Sequence, residues 1–250
     1  MSLNILLSGA TGRMGREIEQ LASADPALEI AARASSTGFF DPPQKLAGQT
    51  VLIDFSNPDL CAQSLEFSRL HGLPMVIGTT GLDDCLQRQV DASAVHVPIC
   101  QAANFSVGVN LLLKLVADVA GALTASDFDV EISEIHHRRK VDAPSGTALA
   151  LGRAVADARG RRHEDLAAFD RHATKSARPE GQIGYQAVRG GDVAGEHTVY
   201  FLGSGERLEL AHRATDRVIF AKGALRAARW LVGRPPGLYS MADVLGVGRV

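Results

Sequence analysis

Most of the side chains in this sequence that could do chemistry together lie in one stretch, from Glu134 to Thr147: Glu-Ile-His-His-Arg-Arg-Lys-Val-Asp-Ala-Pro-Ser-Gly-Thr. His136, His137, Arg138, Arg139 and Lys140 are consecutive, and each can carry a proton. A loop of that composition asks for an anion. Beyond it, Pro144, Ser145, Gly146 and Thr147 lead into a segment from Ala148 to Ala154 that reads as a helix with a hydroxyl cap and a glycine in its first turn. The N–H groups of such a turn, at the positive end of the helix dipole, hold carboxylate or phosphate groups. By itself a basic run is equally the composition of a solvated surface or a nucleic-acid patch; here a second anion-binding device follows it directly.

Something rigid must carry this loop. Phe128 to Ile135 alternate apolar and polar, the pattern of a half-buried strand, so the basic run begins where a strand leaves its sheet. Three further strands are expected in the same region, Ile183 to Val188, Thr198 to Leu202 and Arg207 to Ala214, separated by glycine-rich turns. With the Phe128 strand they would make a small, mostly antiparallel four-stranded sheet. One helix covers one face of such a sheet, and the bare face favours a homo-oligomer built by sheet-to-sheet packing. The charged, Gly/Pro-punctuated stretch from Asp157 to Gln182 reads as a mobile surface excursion. With few aromatics between its arginines and several acids, it is no nucleic-acid arm. His197 and His212, on the later strands, could border the cleft, but a structural role is the expected one.

The first part of the chain has a different rhythm. Asn4 to Ser8 is an apolar run that stops at Gly9-Ala10-Thr11-Gly12-Arg13-Met14-Gly15, followed by helical periodicity from Arg16 to Ala24. This is a GxxGxxG variant of the dinucleotide fingerprint, with glycines for the tight turn, for pyrophosphate approach and for helix-on-strand packing. Strands at Leu28 to Ala34, Val51 to Phe55, Met75 to Gly78 and Val95 to Cys100 alternate with helices, one of them opened by Asn57-Pro58-Asp59. Their carboxyl ends bear Gly78-Thr79-Thr80-Gly81 and Gln101-Ala102-Ala103-Asn104-Phe105-Ser106 at the edge where such sheets bind nucleotides. After the second strand stand Arg33-Ala34-Ser35-Ser36, with no Asp or Glu to hold a ribose diol. One guanidinium and two hydroxyls suit a 2′-phosphate, so NADPH is expected in preference to NADH.

The expected fold is therefore α/β: a Rossmann-type doubly wound parallel sheet plus a smaller α+β domain. Val218 to Leu231 is a long amphipathic helix that returns to the first domain, and Tyr239 to Leu245 adds one helical turn with no further strand. Residues 1–106 with 217–250 form the dinucleotide-binding domain, and residues 107–216 the substrate-binding and oligomerisation domain.

Bulk properties narrow the function. The 250 residues carry 26 basic and 28 acidic side chains, a net charge of -2, so no global field favours nucleic acid or an anionic membrane. No stretch approaches the roughly 20 apolar residues of a membrane span. Cys61, Cys85 and Cys100 lack metal-type spacing, and with no leader pattern at the start a cytoplasmic setting fits. No metal is expected, since adjacent histidines at a strand end point to opposite faces.

The sequence resembles one family over nearly its whole length, 4-hydroxy-tetrahydrodipicolinate reductase (dihydrodipicolinate reductase) of the diaminopimelate route to lysine. The resemblance rests on Gly9 to Gly15, Gly78 to Gly81, Ala102 to Asn110, Glu134 to Thr147 and Arg189 to His197. It implies that His136 takes the proton-donor position and Lys140 the second catalytic position, while His137, Ser145, Gly146 and Thr147 hold the carboxylates of a small cyclic dicarboxylate. It further implies cofactor contacts at Gly9 through Met14, at Gly78, Thr79 and Thr80, and at Ala102, Ala103, Asn104 and Phe105, and a homotetramer. Arg139 stands where several relatives have another His, and the segment from Phe39 to Gln49 is short for the family. Many members place an acidic residue after the second strand, and its absence leaves NADH open beside NADPH. Alternatives are a non-catalytic NADP-binding regulatory module and a different nicotinamide oxidoreductase on the same cofactor domain.

Overall fold

The computed structural model describes residues 2–35, 49–172 and 174–248. Ser36 of the proposed phosphate-binding quartet and most of the short segment before Gln49 lie outside the described residues. The chain divides into two compact units, Met1–Val107 with Val218–Gly246, and Gly108–Arg217 with Val247–Val250.

The first unit opens with β1 (Leu3–Ser8), α1 (Arg13–Ser23), β2 (Leu28–Ala34), β3 (Thr50–Asp54), α2 (Pro58–His71), β4 (Met75–Ile77), α3 (Asp84–Ala94) and β5 (Pro98–Gln101). Every residue of β3 and β4 is buried, as in a parallel sheet covered on both faces. Local chemistry sets the helix ends. The Asn57 side chain accepts from Leu60 N at 3.0 Å with Pro58 beside it in the first turn, and Gly72 closes α2 in the left-handed conformation; Asp83 accepts from Leu86 N at 2.7 Å to start α3. Such caps contribute about 1 kcal/mol each.

The second unit takes in α4 (Val107–Ala122), β6 (Asp129–His136), α5 (Gly146–Ala158), α6 (His163–Leu166), β7 (Ala167–Ala168), β8 (Ile183–Arg189), β9 (Gly195–Leu202) and β10 (Arg207–Ala214). The chain then returns to the first unit through α7 (Val218–Leu231), β11 (Gly237–Tyr239) and α8 (Met241–Leu245).

The expected class holds, and three details differ. The first sheet has six parallel strands in the order β11-β5-β4-β3-β1-β2, because Gly237–Tyr239 pairs with Pro98–Cys100. A strand of three residues after two prolines shows no readable alternation; its pairing depends on backbone groups and an available edge. The second sheet is five-stranded and mixed, in the order β10-β9-β6-β8-β7: β9 runs antiparallel to β10 and β6, while β6/β8 and β8/β7 are parallel. The stretch after Asp157 is anchored, not a loose excursion. It contributes α6 and β7, buries His163 against the Tyr185 hydroxyl at 2.6 Å, and directs the largely buried Arg178 guanidinium onto Asp129, Glu131 and the Val130 carbonyl. Its charges looked solvated in sequence because their partners lie far away along the chain.

Ridges of Leu, Ile and Val from β1, β3 and β4 pack against α1 and α7 on one face and α2 and α3 on the other. In the second unit, Val130 and Ile132 of β6 with Val199 and Phe201 of β9 meet Leu151 and Val155 of α5. Burial on this scale supplies the main stabilising term.

Candidate active site

The second unit's site begins with a change of chemistry along one strand. Side chains at 130, 132, 134 and 136 share the covered face of β6, whose burial alternates strictly. The first two are Val and Ile and belong to the core; the next two are Glu134, 1% exposed, and His136, 8% exposed. A carboxylate left alone there would be costly, so its partners matter. Glu134 accepts from His136 Nδ1 at 2.5 Å, from Arg189 at 2.7 and 2.6 Å through both of its oxygens, and from Ser145 N at 3.1 Å. A bidentate arginine is the partner best able to offset burial.

Burial pushes the Glu134 carboxyl upward, but hydrogen bonds from Arg189 and then His136 outweigh it and hold its pKa below the ordinary 4.5. An ionised Glu134 only accepts, so His136 Nδ1 carries the hydrogen and Nε2 is the nitrogen left to exchange a proton. The His136 pKa lies below 6.5: burial lowers it, the Glu134 bond and charge raise it, and the Lys140 and Arg189 charges lower it again. Gly195 gives the ring room, since a Cβ there would stand 2.9 Å from Nε2, at a φ of 155° that L side chains rarely adopt.

Directly across the β6/β9 ladder from Glu134 is His197, 4% exposed. Its Nε2 lies 2.9 Å from the Ser145 hydroxyl, and its ring meets that of His136 edge to face at 5.1 Å. Burial, then the His136 charge, lowers its pKa to about 4. Ser145 Oγ also accepts from Ala148 N at 3.1 Å as the N-cap of α5, so the expected cap is present and is tied to two histidine-bearing strands.

The basic loop is laced to the turn after β8. His137 N donates to Val193 O at 2.8 Å, Arg138 N to Gly191 O at 3.2 Å, and Arg189 Nη2 to Asp142 O at 2.6 Å. Lys140 Nζ lies 2.8 Å from Asp142, whose carboxyl is held below its ordinary pKa first by Lys140 and further by the Gly146 N–H. The ammonium group and the first N–H of α5 thus already share one carboxylate. Arg138 and Arg139 are exposed. His136, His137, Lys140 and Ser145 to Thr147 therefore all stand around the ends of β6 and α5, together with Glu134, Arg189 and His197, to which the motif pattern assigns no role. A signal existed for Glu134: it is in phase with Val130 and Ile132, so the alternation places it inward.

In the first unit the glycine turn has the geometry of a close-approach loop. Gly9 has φ 79°, and a Cβ on it would stand 2.2 Å from Phe55 O; one on Gly15 would stand 2.4 Å from Gly9 O. α1 begins after Gly12 with no side-chain cap, so no side chain competes for its first-turn N–H groups, and Arg13 is exposed beside them. The strand order places the topological switch between β1 and β3, where open sheets of this kind bind ligands. Thr79 is buried and Thr80 exposed at the end of β4; the Asn104 side chain accepts from Ser106 N at 2.8 Å, while Ala102 and Ala103 line the turn after β5 and Phe105 is buried. Arg33 projects from β2 onto Glu19 of α1, its Nε 2.7 Å from the carboxylate.

A doubly wound sheet with a glycine turn, joined in one chain to a mixed-sheet unit carrying a cationic loop, is an architecture of the dinucleotide-binding oxidoreductase class. Residues 3–105 match the family model for the N-terminus of dihydrodipicolinate reductase and residues 108–245 that for its C-terminus. A 4-hydroxy-tetrahydrodipicolinate reductase from Thiobacillus denitrificans is 45% identical over 99% of this chain and 100% of its own, and one from Zymomonas mobilis is 46% identical over 98% of each. Among solved structures, the dipicolinate-bound dihydrodipicolinate reductase from Paenisporosarcina sp. TG-14 shares the fold at TM-score 0.75 and 23% identity, covering 97% of this chain and 99% of that one. The chain belongs to the dihydrodipicolinate reductase family.

No helix among the described residues is long and apolar enough to cross a membrane, and no group of three or more His, Cys, Asp or Glu among them could hold a metal ion.

Proposed function

We propose that this chain reduces 4-hydroxy-tetrahydrodipicolinate to tetrahydrodipicolinate, with loss of water and with NADPH preferred over NADH. The reading rests on the family and on one observation above the rest: a histidine with one ring nitrogen locked by a buried carboxylate, beside a lysine and a helix N-terminus. The uncapped start of α1 and the Gly9 turn fit a pyrophosphate, with Gly9, Ala10, Thr11, Gly12, Arg13 and Met14 around it. Gly78, Thr79, Thr80 and Ala102 to Phe105 would form the remaining contacts. Bound there, the reduced nicotinamide supplies hydride.

His137, Ser145, Gly146 and Thr147 hold the substrate carboxylates in this reading, with charge-assisted bonds of the kind Asp142 already makes to Lys140. Once the 4-hydroxyl has left as water, hydride enters at C4 and one proton must reach the neighbouring carbon. In this reading His136 Nε2 donates it, and Lys140 stabilises the negative charge that builds on the ring or donates in its stead. Arg33 serves a 2′-phosphate only by leaving Glu19, an exposed pair that costs little to open.

The test follows NADPH and NADH oxidation with the cyclic substrate. The expected result is turnover with both and a higher kcat/KM for NADPH. A preference for NADH of about tenfold or more refutes the cofactor choice, and no turnover with either refutes the reading.

The assembly we infer is a homotetramer in which the uncovered face of the five-stranded sheet, with the exposed Val188 on it, packs on a second copy. Sedimentation as a monomer at micromolar concentration overturns it. A cytoplasmic setting accords with Cys61, Cys85 and Cys100, all free thiols.

A further inference from the structure

Asp54 carries no motif in the sequence, yet it stands at the topological switch of the first sheet. It ends β3 beside β1, and it is fully buried. Val51, Leu52 and Ile53 before it are apolar, and a buried carboxylate needs an explanation. Its partners supply one. Thr79 Oγ1 donates to Asp54 Oδ1; Ser56 Oγ lies 2.9 Å from Oδ1 and 3.0 Å from Oδ2, and Ser56 N reaches Oδ1 at 3.3 Å. Ser56 N also donates to Thr79 Oγ1 at 2.8 Å, so the Thr79 hydroxyl gives its only hydrogen to Asp54 and accepts one from the β3 turn. The carboxylate thereby ties the turn after β3 to the turn after β4.

The next residue extends the connection. Phe55 N donates to Ser8 O at 3.1 Å, Gly78 N to Asp54 O at 2.8 Å, and the Phe55 ring meets Phe105 edge to face at 5.5 Å. Gly9 and Gly78 are both pressed against Phe55, where a Cβ on either would stand 2.2 Å from its carbonyl oxygen or its ring. All three loops assigned to the dinucleotide thus converge on Asp54, Phe55 and Ser56.

We propose that Asp54 is a positioning residue that sets the Thr79 turn for dinucleotide binding, Thr79 itself meeting the ligand through its backbone. The inference rests on the reading that a nicotinamide dinucleotide binds this unit. A side chain whose only task was to stabilise the fold would affect the folded fraction, whereas one that sets a binding loop changes affinity in the protein that does fold.

The test uses the purified full-length chain and titrates it with NADPH, followed by nucleotide fluorescence, in wild type, Asp54→Asn, Thr79→Val and Thr79→Ser. Circular dichroism reports the folded fraction of each. Wild type is expected to bind. Asp54→Asn and Thr79→Val should each weaken NADPH binding by about tenfold at an undiminished folded fraction, with the KM for NADPH rising more than kcat falls, and Thr79→Ser, which keeps the hydroxyl, should restore affinity to within about twofold. NADPH affinity unchanged in Asp54→Asn, or in Thr79→Val if the Asn variant does not fold, overturns the proposal. Loss of kcat with KM and affinity intact does so as well. Failure of wild type to bind NADPH overturns the underlying cofactor reading instead.

Discussion

Replacing Glu134 by Gln changes one atom and one charge at the centre of the second unit's site. Each Glu134 oxygen accepts one Arg189 N–H, and the second partner is His136 on one oxygen and Ser145 N on the other. Whichever way the amide turns, its NH2 faces an Arg189 donor. Uncoupling a buried charge pair in this way costs about 3 kcal/mol, a fall in the unfolding midpoint of roughly 6 to 12 °C for a chain of this size. The catalytic effect has its own signature. Without the carboxylate, His136 Nδ1 loses its acceptor or takes a hydrogen from the amide and moves its own to Nε2, so the expected loss in kcat/KM is about 100-fold. The Glu134 charge is also what holds the His136 pKa up against burial and the neighbouring cations. Removing it lowers that pKa further. A proton donor must be charged, so kcat/KM falls as pH rises through the His136 pKa, and in the variant that fall begins at a more acidic pH. Steady-state kinetics across pH, beside thermal unfolding, measure both effects. Retention of kcat/KM within about threefold with an unmoved pH profile would refute the role given to Glu134.

Lys140→Ala should lose more than about 100-fold in kcat/KM with little change in unfolding midpoint, since the lysine's ion-pair partner is the exposed Asp142; near-normal turnover would show that the loop is not catalytic. The pKa of His197 is lowered in the folded chain to about 4, so between the ordinary 6.5 and that value the unfolded chain takes up a proton that the native one refuses. Stability is therefore intact above that window and falls by about 3 kcal/mol as pH drops through it, and His197→Gln should flatten the dependence in denaturant titrations from neutral to acidic pH. Gly9→Ala should abolish dinucleotide binding in a fluorescence titration, because both φ 79° and the Phe55 carbonyl 2.2 Å from the added carbon oppose it. Binding at wild-type affinity would mean that the turn can rearrange at little cost.

Much of the molecule was legible because its signals are local. A continuous apolar run followed by Gly9-Ala10-Thr11-Gly12 marks strand, turn and helix from covalent geometry and hydropathy alone, and Asn57-Pro58 and Ser145-Gly146 mark helix starts by capping chemistry. β11 escaped notice because three residues carry no periodicity, and α6 and β7 did so because the arginines around them find Asp129 and Glu131 only after folding. Arg33 reads as an anion ligand in isolation, while its Glu19 partner, on the preceding helix, is set beside it by the β1/β2 pairing.

What the sequence determined by itself was the two-unit architecture, the basic loop and the family, since each rests on residue types at short spacing. The tertiary structure alone decided which acids and histidines act on that loop. Glu134 meets Arg189 across a strand pairing, and His197 meets Ser145 at the start of α5, each contact joining residues more than fifty positions apart. Asp54 meets Thr79 only where two parallel strands end side by side. Hydrogen bonds have a reach of a few ångströms and no memory of chain distance, so the partners that orient a buried side chain are chosen by register.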